Sequence, residues 1–266
     1  MTERRVALES GALTYLHGGE GPLVVLTHAL GPVAWGTLDR LVGSCSVAVP
    51  VWERSSISVK SRIELEWFEA LIRDVRLEHA ALCAWSMAGP TAIEYAAEAP
   101  APLSRLILVD VAGLKDGLPP LQLRDLPHLL LTRLLGRPTR GFVRCMWRGW
   151  VHRRDLDTAP LIEATYRFFR CTPGALMSPP DDDDANGESL SDLLASIDVP
   201  TLVLAGRYST VLGPEQGEIT ARKLPRGKLI VFEHSSHTLQ LEEPEKFQEA
   251  IAAFVTEPSA GITGRG

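Results

Sequence analysis

The chain predicts an α/β protein built on a mostly parallel, doubly wound sheet with one helical insertion near its middle. Three observations carry this prediction. Short apolar runs alternate with longer amphipathic stretches. The alternation stops between Gly113 and about Ser191. One apolar run passes directly through a serine into an alanine-rich helix.

The chain opens with Val6–Glu9 and Leu13–His17, which read as an antiparallel hairpin through Ser10-Gly11. Six apolar runs follow: Leu23–Leu26, Val47–Val49, Ala80–Trp85, Leu106–Val109, Leu202–Ala205 and Leu229–Phe232. Each is too short for a helix and too continuous for a half-exposed strand. Strands buried on both faces of a parallel sheet have this signature. Helical patterns fall between them, at Trp35–Val42, Ile63–Leu77, Met87–Ala99, Pro214–Lys223 and Pro244–Val255. Strand–helix alternation with right-handed crossovers winds such a sheet.

From Gly113 to Ser191 no convincing buried strand occurs. Leu129–Leu135 is followed by Phe142, Trp147, Trp150, Phe168 and Phe169, interleaved with arginines. Loops leaving the carboxyl ends of parallel strands surround the ligand crevice. The segment is therefore read as a lid inserted after the sixth strand position; a helical subdomain covering a sheet edge is the alternative. The expected division is a core of residues 1–112 and 191–266 with a lid of residues 113–190.

Bulk composition narrows the function classes. The chain has 266 residues, 45% hydrophobic and 23% charged, which suits one large domain with a full core. A net charge of −6 gives no basic face for nucleic acid. No apolar stretch is long enough to span a bilayer, and the opening MTERRVALESG lacks a secretory pattern. The four cysteines, Cys45, Cys83, Cys145 and Cys171, match no metal or redox spacing. They fit a reducing cytoplasm, with two disulfides as the alternative, and Cys83 reads as a small core residue.

The chemistry concentrates at Cys83-Ala84-Trp85-Ser86-Met87-Ala88-Gly89. A serine on a tight strand-to-helix turn points its hydroxyl above the sheet. Small residues two before and two after avoid a clash, and Ala84 and Ala88 meet that need. The helix start adds free N–H groups and partial positive charge. Serine is also a favoured helix cap, which is the plainer reading of Ser86.

With these residues the chain resembles the α/β-hydrolase family over nearly its whole length. Thr27-His28-Ala29-Leu30-Gly31 stands where the family usually has His-Gly after its third strand, and Trp35 where a tryptophan often opens the first helix. His234-Ser235-Ser236-His237, followed by Glu242-Glu243-Pro244-Glu245, is similar to the loop and helix that carry the family's histidine. The resemblance implies Ser86 as nucleophile and His237 as base, with the backbone N–H groups of Leu30 and Met87 forming an oxyanion hole worth roughly 3 kcal/mol. His28 and His234 match no catalytic role.

Two departures stand out. The family's acid usually lies in the loop after the seventh strand position, where this chain has Gly206-Arg207-Tyr208-Ser209, and Ser209 replaces the expected Asp. Asp110, after Leu106–Val109, is the substitute that keeps the order serine, acid, histidine. Glu233, or no acid at all, are the others. The Pro50–Ser56 segment also lacks the glycines common in the family. Trp52 and Trp85 are expected to line a substrate pocket, together with Trp147 and Trp150 of the lid, with a buried packing role as the equal alternative for Trp52.

Other signals carry less. Asp182-Asp183-Asp184-Ala185-Asn186-Gly187 starts like a calcium loop but has Leu193 at its twelfth position. Gly18-Gly19-Glu20-Gly21 precedes a strand and is a turn. The histidines and cysteines do not pair at zinc spacing, so neither metal nor cofactor is expected. The expected activity is hydrolysis of an ester, thioester or lactone of an apolar small molecule. The missing acid motivates a non-hydrolytic alternative, a cyclase, lyase or acyltransferase of a biosynthetic pathway; a silent binding module is the third possibility.

Overall fold

The structure is a computed structural model that describes residues 1–9, 11–52, 66–76, 79–98, 103–112, 114, 126–135, 138–171 and 190–258. Eight strands form one sheet: β1 (Thr2–Leu8), β2 (Gly11–Gly18), β3 (Leu23–Thr27), β4 (Ser46–Pro50), β5 (Ala80–Trp85), β6 (Leu103–Val109), β7 (Thr201–Gly206) and β8 (Gly227–Phe232). Their order is β1-β2-β4-β3-β5-β6-β7-β8. β1 and β2 pair antiparallel, as do β2 and β4; every pair from β4 through β8 is parallel.

Every apolar run became a strand; Ala80–Trp85 keeps its bounds and the other five are longer by one to three residues. β5 shows why these runs are unbroken. Leu82 and Ala84 face one core, while Cys83 and Trp85 face the other. Both faces are dry, so period-two alternation vanishes from the sequence. β6 repeats the pattern, with Leu106 and Leu108 on one side and Ile107 and Val109 on the other.

The helices follow the strands. They are α1 (Asp39–Val42), α2 (Glu66–Asp74), α3 (Gly89–Ala97), α4 (Leu126–Leu135), α5 (Arg140–Trp150), α6 (Ala159–Cys171), α7 (Leu190–Leu193), α8 (Gly213–Lys223), α9 (Leu239–Glu242) and α10 (Pro244–Thr256). α2 and α3 supply Phe68, Leu71, Ile93 and Ala96 to one core. α1, α5, α6 and α10 supply Leu41, Trp147, Leu161 and Ile251 to the other. Among the described residues between β6 and β7 there are helices and no strand, as the broken rhythm predicts.

One helix is shorter than its pattern. Trp35–Val42 reads as continuous, yet the chain makes a 3-10 turn at Gly31–Ala34 and only one helical turn at Asp39–Val42. Gly36 breaks it, at φ +63°, with the Leu241 side chain 2.9 Å from where a Cβ would sit. A left-handed glycine resets the chain direction. The apolar spacing that looked helical instead buries Trp35 and Leu38 from an irregular segment. The hairpin's Ser10, the segment from Glu53 to Ser56, and the aspartate-rich Asp182–Gly187 lie outside the described residues.

Candidate active site

The carboxyl ends of the central strands bring three separated side chains together. Ser86 follows β5, Asp110 follows β6, and His237 lies between β8 and α9. Ser86 Oγ stands 2.9 Å from His237 Nε2. On the other side of the ring, His237 Nδ1 lies 3.8 Å from Asp110 Oδ2. Among the described residues neither of these two facing atoms has a hydrogen-bond partner. All three groups are buried.

The backbone that presents them is strained. Three non-glycine residues among those described have positive φ: Arg76 at 57°, Ser86 at 55° and Asp110 at 42°. Two of the three are site residues at adjacent strand ends. Such conformations cost about 1–3 kcal/mol each and persist only where the surroundings impose them. Here a hydrogen bond ties the two turns together, from Ala112 N–H to the Ser86 carbonyl at 3.1 Å. Ser86–Ala88 forms a 3-10 turn that runs into α3. Met87 N–H lies in that first turn, where helical N–H groups lack an intrahelical acceptor.

Asp110 is held through its other oxygen. Oδ1 accepts from Ser209 Oγ at 3.0 Å and from Leu212 N–H at 2.9 Å. Leu212 caps the start of α8, whose dipole favours a carboxylate there. Ser209, the residue at the expected acid position, is therefore a donor to Asp110. β6 and β7 are neighbouring parallel strands, with Val109 opposite Leu204. Adjacent strand ends lie about 5 Å apart, so the positions that follow β6 and β7 are neighbours. Glu233 is elsewhere: it forms an exposed two-point pair with Arg207, each contact 2.6 Å.

His28 has more to do than the sequence indicates. Its Nδ1 accepts from Leu30 N–H at 3.2 Å. The N–H expected to stand free for an oxyanion is thus engaged within its own loop. Burial, reinforced by His237 nearby, lowers the His28 pKa to about 3. The ring is neutral, and accepting at Nδ1 leaves the proton on Nε2. Trp52 supports this loop by donating its Nε1–H to the His28 carbonyl at 2.7 Å.

The four tryptophans separate into different roles. Trp85 and Trp147, expected at the substrate pocket, are as deeply buried as His237. Trp85 is 1% exposed; its indole packs between the rings of His28 and His237 and donates to the His237 carbonyl at 3.0 Å. Trp147, also 1% exposed, is fastened between helices by donating to Thr165 Oγ1 at 3.0 Å. Both sit in the core on the sheet face that α5 covers. Trp52 packs edge-on against Trp67 and braces the His28 loop. Trp150 alone is partly exposed beside the site's histidine, its ring centroid 5.2 Å from that of His237. Its carbonyl also accepts from His237 N–H at 3.1 Å. Among the described residues no cluster of His, Cys, Asp and Glu is arranged to hold a metal ion, and no helix is long and apolar enough to cross a membrane.

Comparison with known proteins agrees with this fold. The family model "Alpha/beta hydrolase family" matches residues 23–250. A 2-hydroxy-6-oxo-6-phenylhexa-2,4-dienoate hydrolase of Comamonas testosteroni is 24% identical over 259 residues, covering 91% of this chain and 90% of its own. A pimeloyl-[acyl-carrier protein] methyl ester esterase of Aromatoleum aromaticum is 25% identical over 244 residues, covering 84% and 94%. Among solved structures, an esterase from Exiguobacterium antarcticum superposes with a TM-score of 0.72 at 20% identity, covering 96% of this chain and 99% of that one. A meta-cleavage product hydrolase from Pseudomonas fluorescens gives 0.75 at 19%, covering 96% and 98%. The match of nearly the whole core to one family model, on a sheet of this order, places the chain in the alpha/beta hydrolase family as a hydrolase-class enzyme of that fold.

Proposed function

We propose that this enzyme is a serine hydrolase that cleaves an ester, thioester or lactone of an apolar small molecule through an acyl-enzyme on Ser86. The observation that carries the reading is the 2.9 Å contact between Ser86 Oγ and His237 Nε2 at a serine held at φ 55°. A strained turn that aims a hydroxyl at a buried imidazole has a use in nucleophilic attack. A helix cap needs neither, and a silent binding module has no use for the strain.

In this mechanism His237 takes the Ser86 proton as the hydroxyl attacks the carbonyl, then returns it to the leaving group. Asp110 Oδ2 faces Nδ1 and stabilises the imidazolium. The 3.8 Å separation closes to a hydrogen bond as the ring acquires charge. This buried acid supports hydrolysis over a cyclase, lyase or acyltransferase reading. Met87 N–H and Leu30 N–H stabilise the oxyanion, Leu30 turning from His28 or sharing its proton. Water resolves the acyl-enzyme. The helices of residues 113–190 act as the lid, with Trp150 at its inner edge. No metal or cofactor is called for.

Rapid mixing with a p-nitrophenyl ester tests the proposal. The expected result is a burst of p-nitrophenolate close to one equivalent per chain, followed by slower turnover, with both lost in Ser86→Ala. Turnover retained in correctly folded Ser86→Ala contradicts the acyl-enzyme.

A further inference from the structure

We propose that Glu242 is a positioning residue for His237: one buried carboxylate fastens the histidine loop to the segment that follows α5, and so sets the distance between His237 and Ser86. The inference rests on the reading of Ser86 as nucleophile and His237 as its base.

The geometry is specific. Glu242 ends α9, five residues beyond His237, and is 2% exposed. Its Oε2 accepts from Ser236 N–H at 2.8 Å and from Thr238 Oγ1 at 2.9 Å. These two residues flank His237 on either side. Its Oε1 accepts from His152 N–H at 2.6 Å and Arg153 N–H at 2.7 Å. Those residues lie just beyond α5, after Val151, and are 90 and 89 positions away in sequence. Arg153 adds a bond from its guanidinium to the Glu242 carbonyl at 2.9 Å.

Four donors on two oxygens are what a carboxylate requires when it leaves water. Their distribution shows what the group does. Both halves of the carboxylate are occupied, one by the histidine loop and one by the insertion. The remaining His237 main-chain groups are bound to the same surroundings, N–H to the Trp150 carbonyl and C=O to Trp85 Nε1. The imidazole is therefore placed through its backbone, and Glu242 is the fastening between the two segments that hold that backbone. Stacking of His152 on Tyr208, centroids 3.9 Å apart, closes the same junction from the β7 side. An amide at position 242 can accept at only one of its two atoms, so Glu242→Gln releases one of the two segments while conserving shape.

The test is a double-mutant cycle on the second-order rate of fluorophosphonate labelling, with circular dichroism and thermal midpoint as controls for folding. The four proteins are wild type, Glu242→Gln, His237→Ala and the double variant. Glu242→Gln is expected to slow labelling about 10- to 100-fold when His237 is present, and less than about 3-fold in the His237→Ala background. Equal slowing in both backgrounds, or no slowing in either, overturns the inference. Wild type that resists labelling altogether overturns the reading of Ser86 instead, which keeps the two failures apart. If Glu242→Gln does not fold, Thr238→Val, which removes one of the four bonds, carries the same cycle. A loss confined to the His237 background supports the proposal, and none overturns it.

Discussion

Asp110, at the end of one strand, faces His237, while Ser209 lies at the end of its neighbour. The residue at the position expected for the acid after β7 is a serine, and the carboxylate that faces His237 Nδ1 follows β6. Ser209 remains as the donor that orients it. In the proposed mechanism Asp110→Asn lowers kcat by roughly 10²–10⁴-fold with the fold intact, measured as steady-state ester turnover. Ser209→Ala costs less, about 3- to 10-fold, because Leu212 N–H still holds Oδ1. Ser209→Asp does not improve turnover, since it sets a second carboxylate against the first. His28 yields a prediction about stability. Its folded pKa is about 3 against the ordinary value of 6.5, so between those limits the unfolded chain binds a proton that the folded chain does not. Stability from this group is complete above about pH 6.5 and falls as pH drops toward 3, by up to about 1.4 kcal/mol per pH unit. Urea melts at pH 7, 6 and 5 measure the slope, and His28→Gln removes that contribution.

At the scale of elements, much of the fold was legible because buried parallel strands have an unmistakable signature. Every apolar run named from the sequence lies in a strand, and Pro214–Lys223 and Pro244–Val255 open with prolines where their helices begin. The order of Ser86, Asp110 and His237 along the chain was equally visible. What was hidden depends on contacts between distant segments. No local pattern shows that Trp85 lies under His237, that Leu30 N–H turns to His28, or that Glu242 joins two segments. The hydrogen bonds that fasten Trp85 to the His237 carbonyl and Trp147 to Thr165 are hidden for the same reason. β7 also meets the histidine loop through a contact that composition does not reveal. A Cβ on Gly206 would lie 1.9 Å from the Ser236 carbonyl oxygen. Gly206→Ala must push that loop away, and is expected to destabilise the protein by roughly 2–4 kcal/mol and to reduce ester turnover more than 10-fold. Calorimetry and steady-state kinetics on the one variant check both.

Across the whole molecule, the sheet sets strand ends side by side, and the site is assembled where those ends meet the helical insertion. Three loops converge there, after β5, β6 and β8, and the residues after α5 reach the same point through Trp150 and Glu242. The insertion is thus more than a cover, because its contacts reach the main chain of His237. The proposed mechanism depends on a single chemical property of this arrangement, a serine hydroxyl made nucleophilic by a neighbouring imidazole. Treatment with a fluorophosphonate, followed by intact mass and peptide mapping, reads that property directly. The predicted result is one adduct per chain, mapped to Ser86, absent from Ser86→Ala and strongly slowed in His237→Ala. A folded wild-type chain that gains no adduct, or gains it at another residue, contradicts the central claim.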